Sequence, residues 1–269
     1  MEIINAIITG VLQGITEFLP VSSSGHLVLW HRLSVFSVDD EVVFDVALHA
    51  ATVLALVVYF RNDLWRYAHA FAISLRNRRV QNSDARIAWL LAIGTLPAAL
   101  FGFLAEDFLT RNFRNLTSVA IALGLVGLVM LVVEAGFRPR RTVPDLRVPD
   151  AVMIGVAQAF ALIPGVSRSG ATIIAGMGLG LHRRDAARFA FLLAVPIMLG
   201  TAAYKALDLH TVSAADAMPL VVSAVSAFIA GTWAIGFLLR VVGKVGLKPF
   251  AYYRIGLACV ILFITLRYG

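Results

Sequence analysis

Long apolar runs alternate with short clusters of charge along this chain, and the lengths of the runs predict its elements. Six segments approach or reach the roughly 20 apolar residues that a helix needs to cross about 30 Å of hydrocarbon. They are Val42–Phe60, Ile87–Leu104, Leu116–Val133, Phe189–Tyr204, Met218–Leu239 and Phe250–Leu266. Pro97 and Pro196 fall inside two of them, which membrane helices tolerate. Two further apolar regions, Ile3–Trp30 and Ala151–Leu181, are each interrupted by a cluster of Pro, Gly and Ser. Neither half of either region is long enough to span. Both predict re-entrant helical hairpins that enter the bilayer and leave by the same face. The fold class is therefore an all-α integral membrane protein.

Composition narrows the picture further. Of 269 residues 59% are hydrophobic and 14% charged, with a mean hydropathy of +0.84; a soluble domain carries about a quarter charged residues. The net charge of +7 would suggest a nucleic-acid partner on a soluble protein. In a membrane protein it reflects the Lys and Arg that collect in cytoplasmic loops, and no nucleic acid is expected. With the hairpins contributing no crossing, one face carries Arg32, Arg111, Arg114, Lys205 and Arg267. The other carries 17 basic residues from Arg61 to Arg254, and Arg168 completes the 23. The richer face is then cytoplasmic and both termini lie outside. The opening MEIINAIITG has no basic residue ahead of its apolar run, so it does not read as a cleaved secretory signal. The one cysteine, Cys259, excludes an internal disulfide and a cysteine metal cluster and reads as a small buried hydrophobe.

The two broken regions are versions of one another. Shifted by 145 residues, Gly10-Val11-x-Gln13 falls on Gly155-Val156-x-Gln158, and Val21-Ser22-Ser23-Ser24-Gly25 on Val166-Ser167-Arg168-Ser169-Gly170. Residues 1–140 and 141–269 are thus two repeats, each one hairpin plus three spans. Three is odd, so the second repeat is expected to be inverted relative to the first, an arrangement common among transporters. One hairpin would dip in from outside and the other from the cytoplasm, their tips meeting inside the protein.

Glycine, proline and serine at those tips suit broken helices whose unpaired N–H groups attract an anion. Glu17, His26 and Arg168 lie within apolar hairpins, where ionisable groups are expensive and functional by default. At matched positions Glu17 faces Leu162, Ser23 faces Arg168 and His26 faces Ala171. One repeat holds an acid and candidate nucleophiles while the other holds a cation. Arg168 offers a rigid fork for phosphate. Glu17 offers a general base or a ligand for a hard divalent cation, and Gln13, one turn earlier, adds a neutral oxygen. His26 offers a base, a nucleophile or a satisfied core histidine. Such a set suits phosphoryl transfer on a substrate with a lipid tail. Asp45 and His49, four residues apart, are candidates for the outer vestibule. The basic stretch Arg76–Arg86 reads as a loop that sets topology and touches anionic headgroups.

The motifs EFLPVSSSGH, Glu17 to His26, and PGVSRSGAT, Pro164 to Thr172, resemble those of the bacterial undecaprenyl-pyrophosphate phosphatase family, the bacitracin-resistance type. The resemblance covers essentially the whole chain. It implies an inner-membrane enzyme that removes one phosphate from undecaprenyl pyrophosphate, regenerating the carrier for peptidoglycan synthesis. It implies a metal site at Gln13 and Glu17 for Mg2+ or Ca2+, a serine-rich stretch at Ser22, Ser23, Ser24 and Gly25 ending at His26, and a phosphate-binding motif at Ser167, Arg168, Ser169, Gly170 and Thr172. Many members carry glutamate where this chain has Gln13, which leaves Glu17 most of the metal-binding charge. Ser23 is the first choice of nucleophile, with His26 assisting or attacking in its place. The expected partners are a polyprenyl pyrophosphate lipid and the bilayer, with a homodimer as a candidate assembly. The expected site opens to the periplasm. A transporter or flippase for an anionic lipid or solute is the rival reading, since the architecture would serve it too; a carrier needs the cation but not a nucleophile.

Overall fold

The computed structural model describes residues 2–33, 41–113, 115–206 and 217–268. Among these residues lie eleven α-helices, one 3-10 turn at Val143–Asp145 and no strand element. The first half contributes α1 (Glu2–Phe18), α2 (Ser23–Leu33), α3 (Glu41–Tyr59), α4 (Arg61–Asn77), α5 (Ser83–Phe113) and α6 (Leu116–Ala135). The second contributes α7 (Val148–Phe160), α8 (Arg168–Gly178), α9 (Arg183–Ala206), α10 (Ala217–Val245) and α11 (Lys248–Tyr268). Stretches of α5, α6, α9, α10 and α11 are long and apolar enough to cross a membrane, and α3 is apolar from Val46 to Tyr59. Large apolar side chains such as Phe103, Val132 and Leu266 stand exposed on their outer faces, where lipid replaces water. The chain is an all-α, multi-pass integral membrane protein.

The broken regions fold as short helix pairs. Arg141 donates to the Asp150 carboxylate in the first turn of α7 and to the Leu179 carbonyl just past α8. The start of α7 and the end of α8 therefore lie together. With 13 residues, α7 is only about 20 Å long at 1.5 Å per residue, short of a crossing. In the first pair the Trp30 indole on α2 donates to Thr9 Oγ1 on α1 at 2.8 Å.

Each hairpin packs on the other half of the chain. Along α1, Gly10 and Gly14 abut the carbonyls of Ser223 and Ala227 on α10; along α7, Gly155 abuts the Gly94 carbonyl on α5. A Cβ at any of the three would overlap backbone, so these close crossings require glycine. Helices α6 and α11 pack against one another, as do α3 and α9. Between them runs a core that includes Phe18, Phe60, Met130, Ile173, Phe189 and Phe191.

One end of the bundle gathers the basic segments and ties them with ion pairs. Arg188 on α9 meets Asp63 on α4 at 2.7 Å, and Arg66 meets Asp84 at 3.0 Å. Arg183 pairs with Glu134 at the end of α6, and the same carboxylate accepts from the Leu247 N–H in the α10–α11 turn. Arg86 donates to the Leu146 carbonyl at 2.6 Å.

Three expectations are corrected. Arg254, counted above among the loop cations, is 0% exposed in the interior. Cys259 is exposed, because apolar surroundings in a membrane helix do not imply burial. Residues 61–77, read as part of a loop, form α4, which crosses the first turns of α5 with Ser74 accepting from the Trp89 indole. Its inward-facing positions Leu64, Tyr67, Ala70, Phe71 and Ser74 follow helical spacing, but interspersed charge keeps the segment below a span's hydropathy. The Asp45 side chain proposed for the vestibule lies outside the described residues, as does Arg114.

Candidate active site

The site is assembled where the two hairpin tips touch. Helix α1 ends at Phe18, and Pro20 lies in the turn before α2 begins at Ser23. At the other tip Pro164 and Gly165 precede α8, with Gly165 at φ +97°, a conformation that glycine adopts freely. Ser22 and Ser167 both hold positive φ, 75° and 73°, an unfavourable state for residues with a Cβ that concentrates at functional sites. Each then caps the helix that follows. The Ser22 hydroxyl accepts from Gly25 N–H at 3.4 Å, and Ser167 accepts from Gly170 N–H at 3.2 Å. The Ser22–Ser24 and Ser167–Ser169 hydroxyl pairs sit at 3.1 and 3.2 Å.

Direct bonds join the tips. Ser24 Oγ accepts from Gly165 N–H at 3.1 Å, and the Ser169 hydroxyl donates to the Leu19 carbonyl at 3.1 Å. Arg254 reaches both. Its guanidinium donates to the carbonyls of Pro20 (3.2 Å), Gly165 (2.7 Å), Val166 (3.0 Å) and, on α6, Leu123 (3.3 Å). A buried charge survives when its donors are met, and here one side chain meets carbonyls from both breaks.

Glu17 stands at the centre. Its Oε2 accepts from the Ser23 hydroxyl at 2.8 Å and from Gln13 Nε2 at 3.1 Å. Its Oε1 lies 3.7 Å from Arg168 Nη2, a loose ion pair. Arg168 Nη1 is buried without a hydrogen-bond partner, and so is Gln13 Oε1. Among the described residues no acceptor meets the N–H groups of Ser23, Ser24, Arg168 or Ser169. The first turns of α2 and α8 thus present unpaired donors beside an unpaired guanidinium nitrogen, a cradle for an anion. Thr172, predicted to touch phosphate, returns its hydroxyl to the Arg168 carbonyl at 2.7 Å and steadies the first turn of α8.

His26 is turned away from the acid. Its Nδ1 meets the Ser22 carbonyl and its Nε2 the Tyr253 hydroxyl, both at 2.7 Å, with the rings stacked 5.6 Å apart. Tyr253 and Arg254 were not picked out from sequence, since nothing in residues 227 and more positions away marks them as neighbours of the first tip. Gln158 was visible only as the counterpart of Gln13; it is buried with both amide atoms unpartnered.

The donors suit a hard divalent cation in part. Gln13 Oε1 is a buried acceptor with no partner, beside the Glu17 carboxylate. Such cations are often held by one carboxylate with substrate phosphates completing the shell. Among the described residues no group of three His, Cys, Asp or Glu could hold a metal without substrate.

A multi-pass helical membrane protein with a buried carboxylate bonded to a serine and facing an arginine is the class that these features define. The chain belongs to the BacA family: the model of that family, described as bacitracin resistance protein BacA, matches residues 6–260. It is 43% identical over 267 residues to the undecaprenyl-diphosphatase of Rubrobacter xylanophilus, covering 97% of each chain. It is 39% identical over 268 residues to the undecaprenyl-diphosphatase of Alcanivorax borkumensis, covering 98% of this chain and 99% of that one. That of Marinobacter nauticus is 40% identical over 263 residues, covering 97% and 98%.

Proposed function

We infer that this chain hydrolyses undecaprenyl pyrophosphate to undecaprenyl phosphate and inorganic phosphate, as the names of its relatives describe. The observation that carries the chemistry is the Ser23 hydroxyl held 2.8 Å from Glu17, with Arg168 at the opposite carboxylate oxygen. Arg168 and the N–H groups of Ser23, Ser24 and Ser169 would bind the pyrophosphate oxygens. Ser23 Oγ attacks the terminal phosphorus as its proton passes to Glu17. The bond from that phosphorus to the bridging oxygen breaks, and undecaprenyl phosphate leaves with the proton from Glu17, which is ionised again. Water, deprotonated by Glu17, then attacks the phosphoserine; phosphate departs and the serine regains its proton. Glu17 and Gln13 Oε1 would hold Mg2+ or Ca2+, which supplies charge neutralisation to the pyrophosphate when bound. His26, engaged by Ser22 and Tyr253, is assigned to orienting the α2 terminus, with attack by its imidazole as the alternative.

The repeat and its orientation belong to the same reading. The matched tip geometry and the reciprocal packing of α1 on α10 and α7 on α5 support two inverted halves. The basic end supports a bacterial inner-membrane protein with that end cytoplasmic, both termini outside and the Glu17 hairpin entered from the periplasm.

Phosphate release by the purified protein in detergent, from a polyprenyl pyrophosphate with and without chelator, tests the function. Metal-dependent release is expected; no release under any metal condition would sink the enzyme reading in favour of a carrier. Trapping radiolabelled phosphoenzyme in wild type but not in Ser23→Ala assigns the nucleophile, and trapping lost only in His26→Ala reverses that assignment.

A further inference from the structure

At the basic end two grooves meet on either side of Trp89. One, of about 260 Å³, is lined by Ser74, Leu75, Arg78, Arg79, Val80 and Trp89. The other, of about 480 Å³, is lined by Arg86, Arg147, Leu90, Ile93 and Val148, with Val80 and Trp89 shared. The partition is fixed. The Trp89 indole donates to Ser74 Oγ at 2.9 Å and lies 4.7 Å from the Phe71 ring. Four arginines and no carboxylate line the pair of grooves. Elsewhere at this end Arg66, Arg141, Arg183 and Arg188 each pair with an acid. Among the described residues none of Arg78, Arg79, Arg86 or Arg147 does.

Apolar surface continues from the grooves along the outside of the bundle. Val148, Val152 and Val156 recur one turn apart on α7, and Leu96 and Leu100 follow Ile93 on α5, all five beyond Ile93 exposed by more than a third. Arginines with no carboxylate at ion-pair distance, at the top of an apolar track with an interfacial tryptophan between them, match a phosphodiester headgroup whose acyl chains run along protein. We propose that these paired grooves bind an anionic glycerophospholipid, the arginines on its phosphodiesters and its chains along α5 and α7. Two grooves sharing one wall fit a lipid with two phosphodiesters, diphosphatidylglycerol, better than a lipid with one. The site is separate from the hairpin tips, and it adds a lipid that anchors α4, α5 and α7 rather than a second substrate.

Native mass spectrometry of the full chain, titrated with diphosphatidylglycerol, phosphatidylcholine or undecaprenyl phosphate, tests this. The wild type should retain diphosphatidylglycerol at least about tenfold more tightly than phosphatidylcholine, as expected for several charge-assisted hydrogen bonds. The triple variant Arg78→Gln, Arg79→Gln, Arg147→Gln should lose that preference. The control Arg76→Gln, Arg138→Gln, Arg140→Gln removes equal charge from the same end outside both grooves, and should keep it. Val80→Glu, at an exposed position on the shared wall, should abolish the preference without removing any arginine, so the test survives if the triple variant fails to fold. Equal losses in groove and control variants would reduce the effect to diffuse attraction and overturn the site. A loss of undecaprenyl phosphate retention in the groove triple variant larger than its loss of diphosphatidylglycerol would overturn the lipid class.

Discussion

At Ser22 and at Ser167 the backbone takes the same unfavourable turn, the same hydroxyl caps the next helix, and a second serine two residues on completes the same pair. The side chains around these matched turns have diverged. The first tip sets Glu17 between Gln13 and Ser23; the second sets Leu162 where the acid would be and Arg168 where the hydroxyl would be. The same backbone turn, able to bind an anion, occurs in both tips, while the acid and the cation are divided between them. An acid and a hydroxyl in both tips would place two carboxylates around one phosphate, and two arginines would leave no base.

Paired substitutions at matched positions test that division. The largest difference is expected between Glu17 and Leu162. Glu17→Gln should lower kcat/KM by about a thousandfold or more, the scale of losing a general base and a charge partner together. Leu162→Gln should change it by less than about threefold, since no charge is involved. Next come Ser23 and Arg168, which share a repeat position. Ser23→Ala should cut kcat to a small residual rate and leave lipid binding intact. Arg168→Gln should act mainly through KM, weakening substrate by roughly a hundredfold as a desolvated guanidinium–phosphate contact is lost. Both would be measured by steady-state phosphate release.

Smaller effects separate Gln13 from Gln158. Gln13→Leu should raise the magnesium concentration for half-maximal activity by about tenfold, as losing an oxygen near the ligand set does. Gln158→Leu should leave that concentration unchanged. It should also raise the melting temperature by a few degrees, because replacing a buried amide with no partners relieves about 1 kcal/mol or more of desolvation. The smallest difference is expected at the glycines. Gly10→Ala and Gly155→Ala each force a Cβ into a neighbouring carbonyl and should both destabilise by about 1–3 kcal/mol in thermal melts. A large inequality between them would mean that the two hairpins are not packed alike.

Much of the candidate site could be read before the fold. Glu17, His26 and Arg168 stood out because charge within apolar hairpins is conspicuous, and the 145-residue shift showed which residues had diverged. The hairpin breaks were legible for the same reason, in Pro20, Pro164 and the glycines around them. Arg254 was not legible. Six residues from the start of α11, it looks in sequence like one more cation flanking a span, and only the meeting of both tips against α6 shows why it is buried. His26 and Tyr253 are 227 residues apart, so their contact depends on the packing of α2 beside α11 and leaves no local trace. Helix α4 was missed because a search for spans discards amphipathic segments. Cys259 was misread because burial and apolarity, which coincide in water, separate in lipid.

Whether the two tips form one catalytic unit is tested most directly by a double-mutant cycle on Ser23→Ala and Arg168→Gln, read as kcat/KM for residual phosphate release from undecaprenyl pyrophosphate well below KM. Groups that act on the same phosphoryl transfer are strongly non-additive. The double variant should therefore be no slower than Ser23→Ala alone. Losses that multiply, or full activity in Arg168→Gln, would contradict a site built from both halves of the chain.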